Sequence, residues 1–147
     1  KFKLNLFNLV FVQVESPLRP NDFFIKKVCL GAKNRKIINV GNINTFRDYS
    51  WITKIVKSIC FTSKLKSGNF IISAGKKISG KEILDFAFKL NSLDYKKFIK
   101  INKKFFRKNE KKILIGSSKN TRYLKNNFNF KFKIFGGKLI KKMYKSL

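Results

Sequence analysis

Arg107 and Glu110 stand three residues apart in the stretch FFRKNEKKILIGSSKN, and both belong to scarce classes in this chain. Lys and Arg together number 35, yet only five are arginine (Arg19, Arg35, Arg47, Arg107 and Arg122), and Asp and Glu together number 7. An ammonium is a compact point charge, whereas a guanidinium is a planar fork that grips a phosphate or carboxylate through two parallel hydrogen bonds. A chain that uses lysine nearly everywhere has kept the fork here. Three-residue spacing sets the cation and the carboxylate on one side of a turn, where both can face one ligand. The rival reading is a local surface ion pair worth about 0.5 kcal/mol.

The bulk properties narrow the setting. At 147 residues the chain suits one domain with a real core. A hydrophobic content of 44% and 17 phenylalanines argue against disorder. No apolar run approaches the roughly 20 residues needed to span a bilayer, so no membrane partner is expected. The opening KFKLNLFNLVFVQVESP is basic and then apolar like a leader, but it lacks a small-residue cleavage site and alternates like a strand. Cys29 and Cys60 show no CxxC spacing and the chain has no His, which argues against a zinc site, and no metal is expected. Two free thiols fit a reducing cytoplasm.

A net charge of +28 invites a nucleic-acid partner held by counterion release. Lys, Asn, Ile and Phe are enriched together, however, as an AT-rich genome produces on any fold. Pairs such as Lys76-Lys77, Lys96-Lys97 and Lys111-Lys112 are scattered along the chain and not gathered in one block. A basic RNA- or ribosome-associated protein stands as the alternative reading.

Alternating signals run the length of the sequence. Leu6 to Val14 reads as a buried strand stopped by Pro17. Asn21 or Asp22 can cap a helix from Phe23 to about Lys33. Lys36 to Val40 reads as a short strand closed by Gly41-Asn42, Thr45 to Asp48 as a loop, and Trp51 to Ser63 as a helix with Ile52, Ile55, Val56 and Ile59 on its apolar side. Asn69 to Ser73 reads as a strand. Ser79 and Glu82 form a capping box before a helix whose stripe is Ile83, Phe86, Ala87 and Leu90. Short strands at Phe98–Ile101 and Ile113–Gly116, a short helix at Asn120–Asn126 and a closing amphipathic helix at Gly137–Leu147 complete an α/β class.

Read in order, ESPLRPNDFFIKKV, GNINTFRDYSW, GNFIISAGKKISGKEILDFAF and FFRKNEKKILIGSSKN resemble the GDP-mannose 4,6-dehydratase family. These are extended short-chain dehydrogenase/reductases of the NAD-dependent epimerase/dehydratase kind, acting on a nucleotide sugar. The family pattern is Glu-Ser-Pro with two arginines, a helix carrying Arg-Lys, Gly-Asn, Arg-Asp-Trp, Ala-Thr-Gly before a capped helix, and Phe-Arg-Pro-x-Glu before Leu-x-Gly-Asp. The resemblance runs in register from about Leu9 to the C-terminus.

It implies roles residue by residue. Arg107 would grip the nucleotide's diphosphate or ribose, and Glu110 would accept hydrogen bonds from ribose hydroxyls. Arg47 and Lys27 would contact the diphosphate. Glu15 and Arg19 lie in the turn that closes over the nicotinamide end of the cofactor and the sugar. Gly75 and Gly116 read as turn residues. The pattern is broken at Leu18, where the family has its first arginine, and at Val14, Lys108, Tyr49, Trp51, Lys54 and Ser117.

In the family, NADP⁺ takes a hydride from C4 of the mannosyl ring, water is eliminated across C5 and C6, and the hydride returns at C6 to give GDP-4-keto-6-deoxymannose. Tyr, Lys, a Ser/Thr and a Glu carry the proton transfers. The sequence contains neither a GxxGxxG turn nor a YxxxK, so no catalytic residue is assigned in it. The resemblance thus implies that residues 1–147 are the C-terminal portion of such an enzyme, namely its last Rossmann strands plus a small α/β substrate-binding domain. That portion would bind GDP-mannose, leave NADP mainly to the missing part, be inactive alone and form a homo-oligomer when full length.

Overall fold

The computed structural model describes residues 4–117 and 119–147. Strand pairing is almost wholly parallel, so each partner returns from far along the chain through a crossover. β1 (Phe7–Phe11) pairs with β6 (Gly68–Ile72), Phe7 opposite Gly68 and Phe11 opposite Ile72. β2 (Gln13–Glu15) pairs with β5 (Tyr49–Trp51), and β3 (Ile38–Val40) with β8 (Ile99–Ile101). β4 (Phe46–Arg47) sits between antiparallel β7 (Ile78–Ser79) and parallel β9 (Ile113–Leu114).

The strand expected over Leu6–Val14 is two strands. The chain bends at Val12 and changes partner there, because β1 follows β6 while β2 follows β5. That change carries Glu15 to a position opposite Trp51. The loop expected over Thr45–Asp48 contains β4, a strand too short to leave a periodic signal.

Three helices make one layer: α1 (Phe24–Lys33), α3 (Gly80–Lys89) and α5 (Gly136–Lys145). They meet through Ile25, Val28 and Ala32 of α1, Ile83, Leu84, Ala87 and Phe88 of α3, and Leu139, Ile140 and Met143 of α5. A second, smaller cluster joins α2 (Ile52–Thr62) and α4 (Lys119–Phe128) to β6 through Ile55, Leu124, Phe130 and Ile72.

Local signals hold at α3 and fail elsewhere for identifiable reasons. The Ser79 hydroxyl accepts the Glu82 N–H at 3.1 Å while a Glu82 carboxylate oxygen accepts the Ser79 N–H at 2.7 Å, the reciprocal capping box. Neither Asn21 nor Asp22 caps α1; the cap position is Phe23, without a side-chain bond, since the two polar residues fall two steps and one step early, in a turn. On α3 the buried face is rotated from the expected stripe: Phe86 and Leu90 are 48% and 40% exposed, and Leu84 and Phe88 take their places against α1 and α5. On α2, Ile55, Ser58 and Thr62 are buried and Val56 and Ile59 are exposed. The hydroxyls of Ser58 and Thr62 donate to the carbonyls of Ile55 (2.6 Å) and Ile59 (2.8 Å), so these small polar side chains enter the interior already satisfied.

Candidate functional site

A cavity of about 340 Å³ opens between the turn after β2, the start of α1, the segment after β3 and the loop preceding β9. Glu15, Arg19, Lys27, Arg47, Arg107 and Glu110 all line it, although they come from segments spread over nearly a hundred positions. The structure therefore gathers every residue singled out from the sequence. It also rearranges who pairs with whom.

Arg47 is the structural arginine of the group. At 9% exposure, its Nη2 lies 2.7 Å from Glu110 Oε1, and its Nη1 donates to the carbonyls of Phe46 (2.8 Å) and Lys111 (3.1 Å). These contacts lock β4 to the incoming edge of β9, where the Phe46 N–H also donates to the Lys112 carbonyl at 2.8 Å. Glu110 is thus engaged by Arg47 and not by Arg107. The Arg107–Glu110 segment is a turn, closed by the Glu110 N–H on the Arg107 carbonyl at 3.3 Å, with Asn109 at φ +58. Asparagine tolerates that left-handed conformation better than most residues, which suits a turn whose usual proline is Lys108. Arg107 itself is exposed, makes no ion pair among the described residues, and leaves its fork available at the cavity wall.

Beneath Arg47 the neighbouring Asp48 is fully buried. One carboxylate oxygen accepts the Gly75 N–H at 2.8 Å; the other has no hydrogen-bond partner among the described residues. Burial raises its pKa above the ordinary value, opposed by backbone N–H groups at Gly75, Gly116, Lys76 and Ala74. Gly75 adopts φ +67, the left-handed turn expected of it. Gly116 has a different reason to be glycine: a Cβ there would lie 2.5 Å from the Ser73 side chain and 2.6 Å from Val12.

Glu15 and Arg19 form the other end. Arg19 Nη1 lies 2.8 Å from Glu15 Oε1 and 2.7 Å from the Val14 carbonyl, and the guanidinium stacks 3.6 Å over the Phe23 ring. Glu15 Oε2 is buried without a hydrogen-bond partner among the described residues, and burial pushes the Glu15 carboxyl up to about 7 against the pull of Arg19. Burial also raises the Tyr49 phenol, and Glu15 adds to that rise. Gln13 lines the same end with an amide, so that end of the cavity offers hydrogen-bond donors and acceptors together.

Sequence reasoning missed Phe105. It lines the cavity, half exposed, with Lys27 Nζ 4.8 Å from its ring centroid, and it packs on Gly41, where a Cβ would meet the Phe105 carbonyl at 2.9 Å. Its place two residues before Arg107 was the available signal. Asn42 and Thr45 also reach the cavity from a segment the sequence marks only as a turn and a loop.

Among the described residues no helix is long and apolar enough to cross a membrane, and no group of His, Cys, Asp and Glu could hold a metal ion. The fold matches solved enzymes at low identity. dTDP-glucose 4,6-dehydratase from Bacillus anthracis, in complex with NAD, aligns over 95% of this chain and 44% of its own, with TM-score 0.75 and 15% identity. RMD from Pseudomonas aeruginosa, complexed with NADPH, aligns over 97% and 48% (TM-score 0.77, 13% identity). UDP-glucose 4-epimerase from Thermus thermophilus, in complex with NAD, aligns over 97% and 47% (TM-score 0.76, 10% identity). The chain thus spans slightly less than half the length of these relatives, and its mixed α/β fold is that of the C-terminal part of extended short-chain dehydrogenase/reductases. Neither comparison supports the RNA- or ribosome-binding alternative. The family model for GDP-mannose 4,6 dehydratase matches residues 1–143, nearly the whole sequence, and with the shared fold this establishes that the chain belongs to that family.

Proposed function

We propose that the cavity is a nucleotide-sugar site and that its substrate is GDP-mannose, bound for NADP-dependent 4,6-dehydration. The observation that carries this reading is convergence. Four cations (Arg19, Lys27, Arg47 and Arg107) and three acids (Glu15, Asp22 and Glu110) from distant segments line one cavity, and with Arg19 and Arg47 paired to Glu15 and Glu110, Lys27 and Arg107 are the cations left to face a diphosphate. Arg107 supplies the free fork for phosphate oxygens, Lys27 a second charge, and Arg47 holds Glu110 in place, with its remaining oxygen turned to a ribose diol. Glu15 and Arg19 stand where a nicotinamide cofactor would meet the sugar, and a bound cofactor supplies reversible hydride acceptance. Residues 1–147 act as the substrate-binding portion, and the proton transfers belong to a Tyr, a Lys, a Ser/Thr and a Glu of the part outside this sequence. The chain alone grips without turnover. The full-length protein works as a cytoplasmic homo-oligomer, a setting that fits two free thiols, Cys29 buried and Cys60 exposed.

Calorimetry with GDP, at low and at moderate salt, tests the reading. Saturable binding that survives moderate salt and is lost in Arg107→Ala supports it. Binding of any polyanion alike, vanishing with salt and indifferent to Arg107, overturns it. Formation of the 4-keto product by the chain alone from GDP-mannose and NADP⁺ overturns the assignment of grip without turnover.

A further inference from the structure

The turn that brings Glu15 and Arg19 to the nucleotide cavity also builds a second feature. Ser16, Pro17 and Leu18 line a separate open groove of about 820 Å³ that shares no residue with that cavity. Its floor is Pro17, Ile52 and the edge of Trp51, a core residue only 3% exposed, and its rim is a row of lysines on α5: Lys138, Lys141, Lys142 and Lys145. Positions i, i+3, i+4 and i+7 share a helix face, here opposite the buried Leu139, Ile140 and Met143. No Asp or Glu lines the groove among the described residues.

Two details mark the groove as more than a charged surface. Leu18 is 92% exposed, yet its turn is held firmly: its N–H donates to the Ser16 hydroxyl at 3.1 Å, and Lys26 Nζ binds the carbonyls of Pro17 (2.7 Å) and Arg19 (2.8 Å). A large apolar side chain is thus presented to solvent at the lip of an apolar floor. Lys142 Nζ lies 5.3 Å from the Trp51 ring centroid, so one rim cation rests over that floor.

We propose that this groove docks an acidic, extended segment of a partner protein, with Asp or Glu side chains on the α5 lysines and an intervening apolar side chain on Leu18, Pro17 and Ile52. The lysine row spans about 10 Å at 1.5 Å per residue. In an extended segment at about 3.3 Å per residue, acids at i and i+2 stand about 6.6 Å apart, within the length of the row, and their side chains meet the rim while i+1 turns to the floor. A second copy of residues 1–147 suits the rim poorly: with +28 and only 7 acids, it offers little but repulsion. A flat lipid surface would meet the rim and leave the concave floor unfilled.

Trp51 is the one tryptophan and its buried ring borders the groove beneath Lys142, so its emission is a secondary reporter beside the binding isotherm. The chain is titrated at about 0.15 M salt, where exposed charges are screened beyond ~8 Å, with three probes: a peptide alternating Asp and Leu, a peptide of Asp alone, and phosphatidylserine vesicles. The expected result is saturable binding of the alternating peptide at least ~10-fold tighter than the all-Asp peptide, with a change in Trp51 emission. Lys138→Ala with Lys145→Ala, and separately Leu18→Ser, should each weaken it roughly tenfold, while the charge-matched control Lys96→Ala with Lys97→Ala should leave it unchanged. Equal binding of both peptides, or equal loss in both lysine pairs, overturns the proposal in favour of bulk charge. Vesicle binding without peptide binding overturns it in favour of a membrane surface, and no peptide binding overturns it outright. The outcome does not depend on nucleotide, so it stands or falls apart from the proposed function.

Discussion

Glu110 Oε1 lies 2.7 Å from Arg47 Nη2 across 63 positions of sequence, while Arg107, in the same turn as Glu110, has no ion-pair partner among the described residues. The two arginines of the cavity therefore do different work. Arg47 is committed to holding β4, the loop and Glu110 together; Arg107 is committed to nothing. Evolution of a lysine-rich surface would leave either replaceable by lysine only where the fork is unused.

Arg47→Ala should destabilise the fold by about 2–4 kcal/mol, because it strands the partly buried Glu110 carboxylate and removes donors from two carbonyls. Arg107→Ala should change stability by less than about 0.5 kcal/mol, as for other exposed side chains. Urea unfolding separates them, and equal losses would contradict the division of labour.

Glu15 makes stability fall as pH rises. Its folded-state pKa, about 7, is raised from the ordinary 4.5 chiefly by burial. A group shifted upward contributes its full stability below the unfolded value and loses it as pH climbs through the folded one. The window is therefore pH 4.5 to 7, and the loss across it is about 3 kcal/mol. Glu15→Gln should flatten urea midpoints measured at pH 5 and pH 8 and raise the value at pH 8. A wild-type midpoint unchanged between those pH values would show that Arg19 fully offsets the burial.

The capping box predicts the opposite slope. Ser79 holds the Glu82 pKa below its ordinary value through side-chain and backbone hydrogen bonds. Stability from this group is present above the unfolded carboxylate pKa and lost as pH falls through the lowered folded one. Ser79→Ala should cost about 1 kcal/mol at neutral pH. In Glu82→Gln the acid-side loss of stability should shrink, as read by thermal unfolding between pH 2 and pH 5.

Asp48→Ala should cost about 1–3 kcal/mol by leaving the Gly75 N–H unpaired in a buried turn. Amide exchange at Gly75 is the direct readout, and it should quicken in the variant. Retained protection would mean another acceptor replaces the carboxylate.

What the sequence determined by itself is the local and the collinear. The capping box at Ser79 and Glu82 closes within three residues, so its partners are written side by side. Helix and strand positions were readable where period and punctuation agree, as at α1, β6, α3 and α5. The ordered landmarks from Glu15 to Glu110 pointed to the family and to six residues of one cavity. Tertiary structure decided everything that depends on which distant surfaces meet. The partner of Glu110 could not be read, because Arg107 is near in sequence but Arg47 is brought near by the pairing of β4 with β9. The break at Val12 follows from two different parallel partners, and the buried face of α3 from the positions of α1 and α5. The unpaired oxygens of Glu15 and Asp48 arise from burial, which no single stretch of sequence encodes. Hydrogen bonds across three or four residues are set by backbone geometry alone, whereas contacts across sixty wait on the packing of the whole chain.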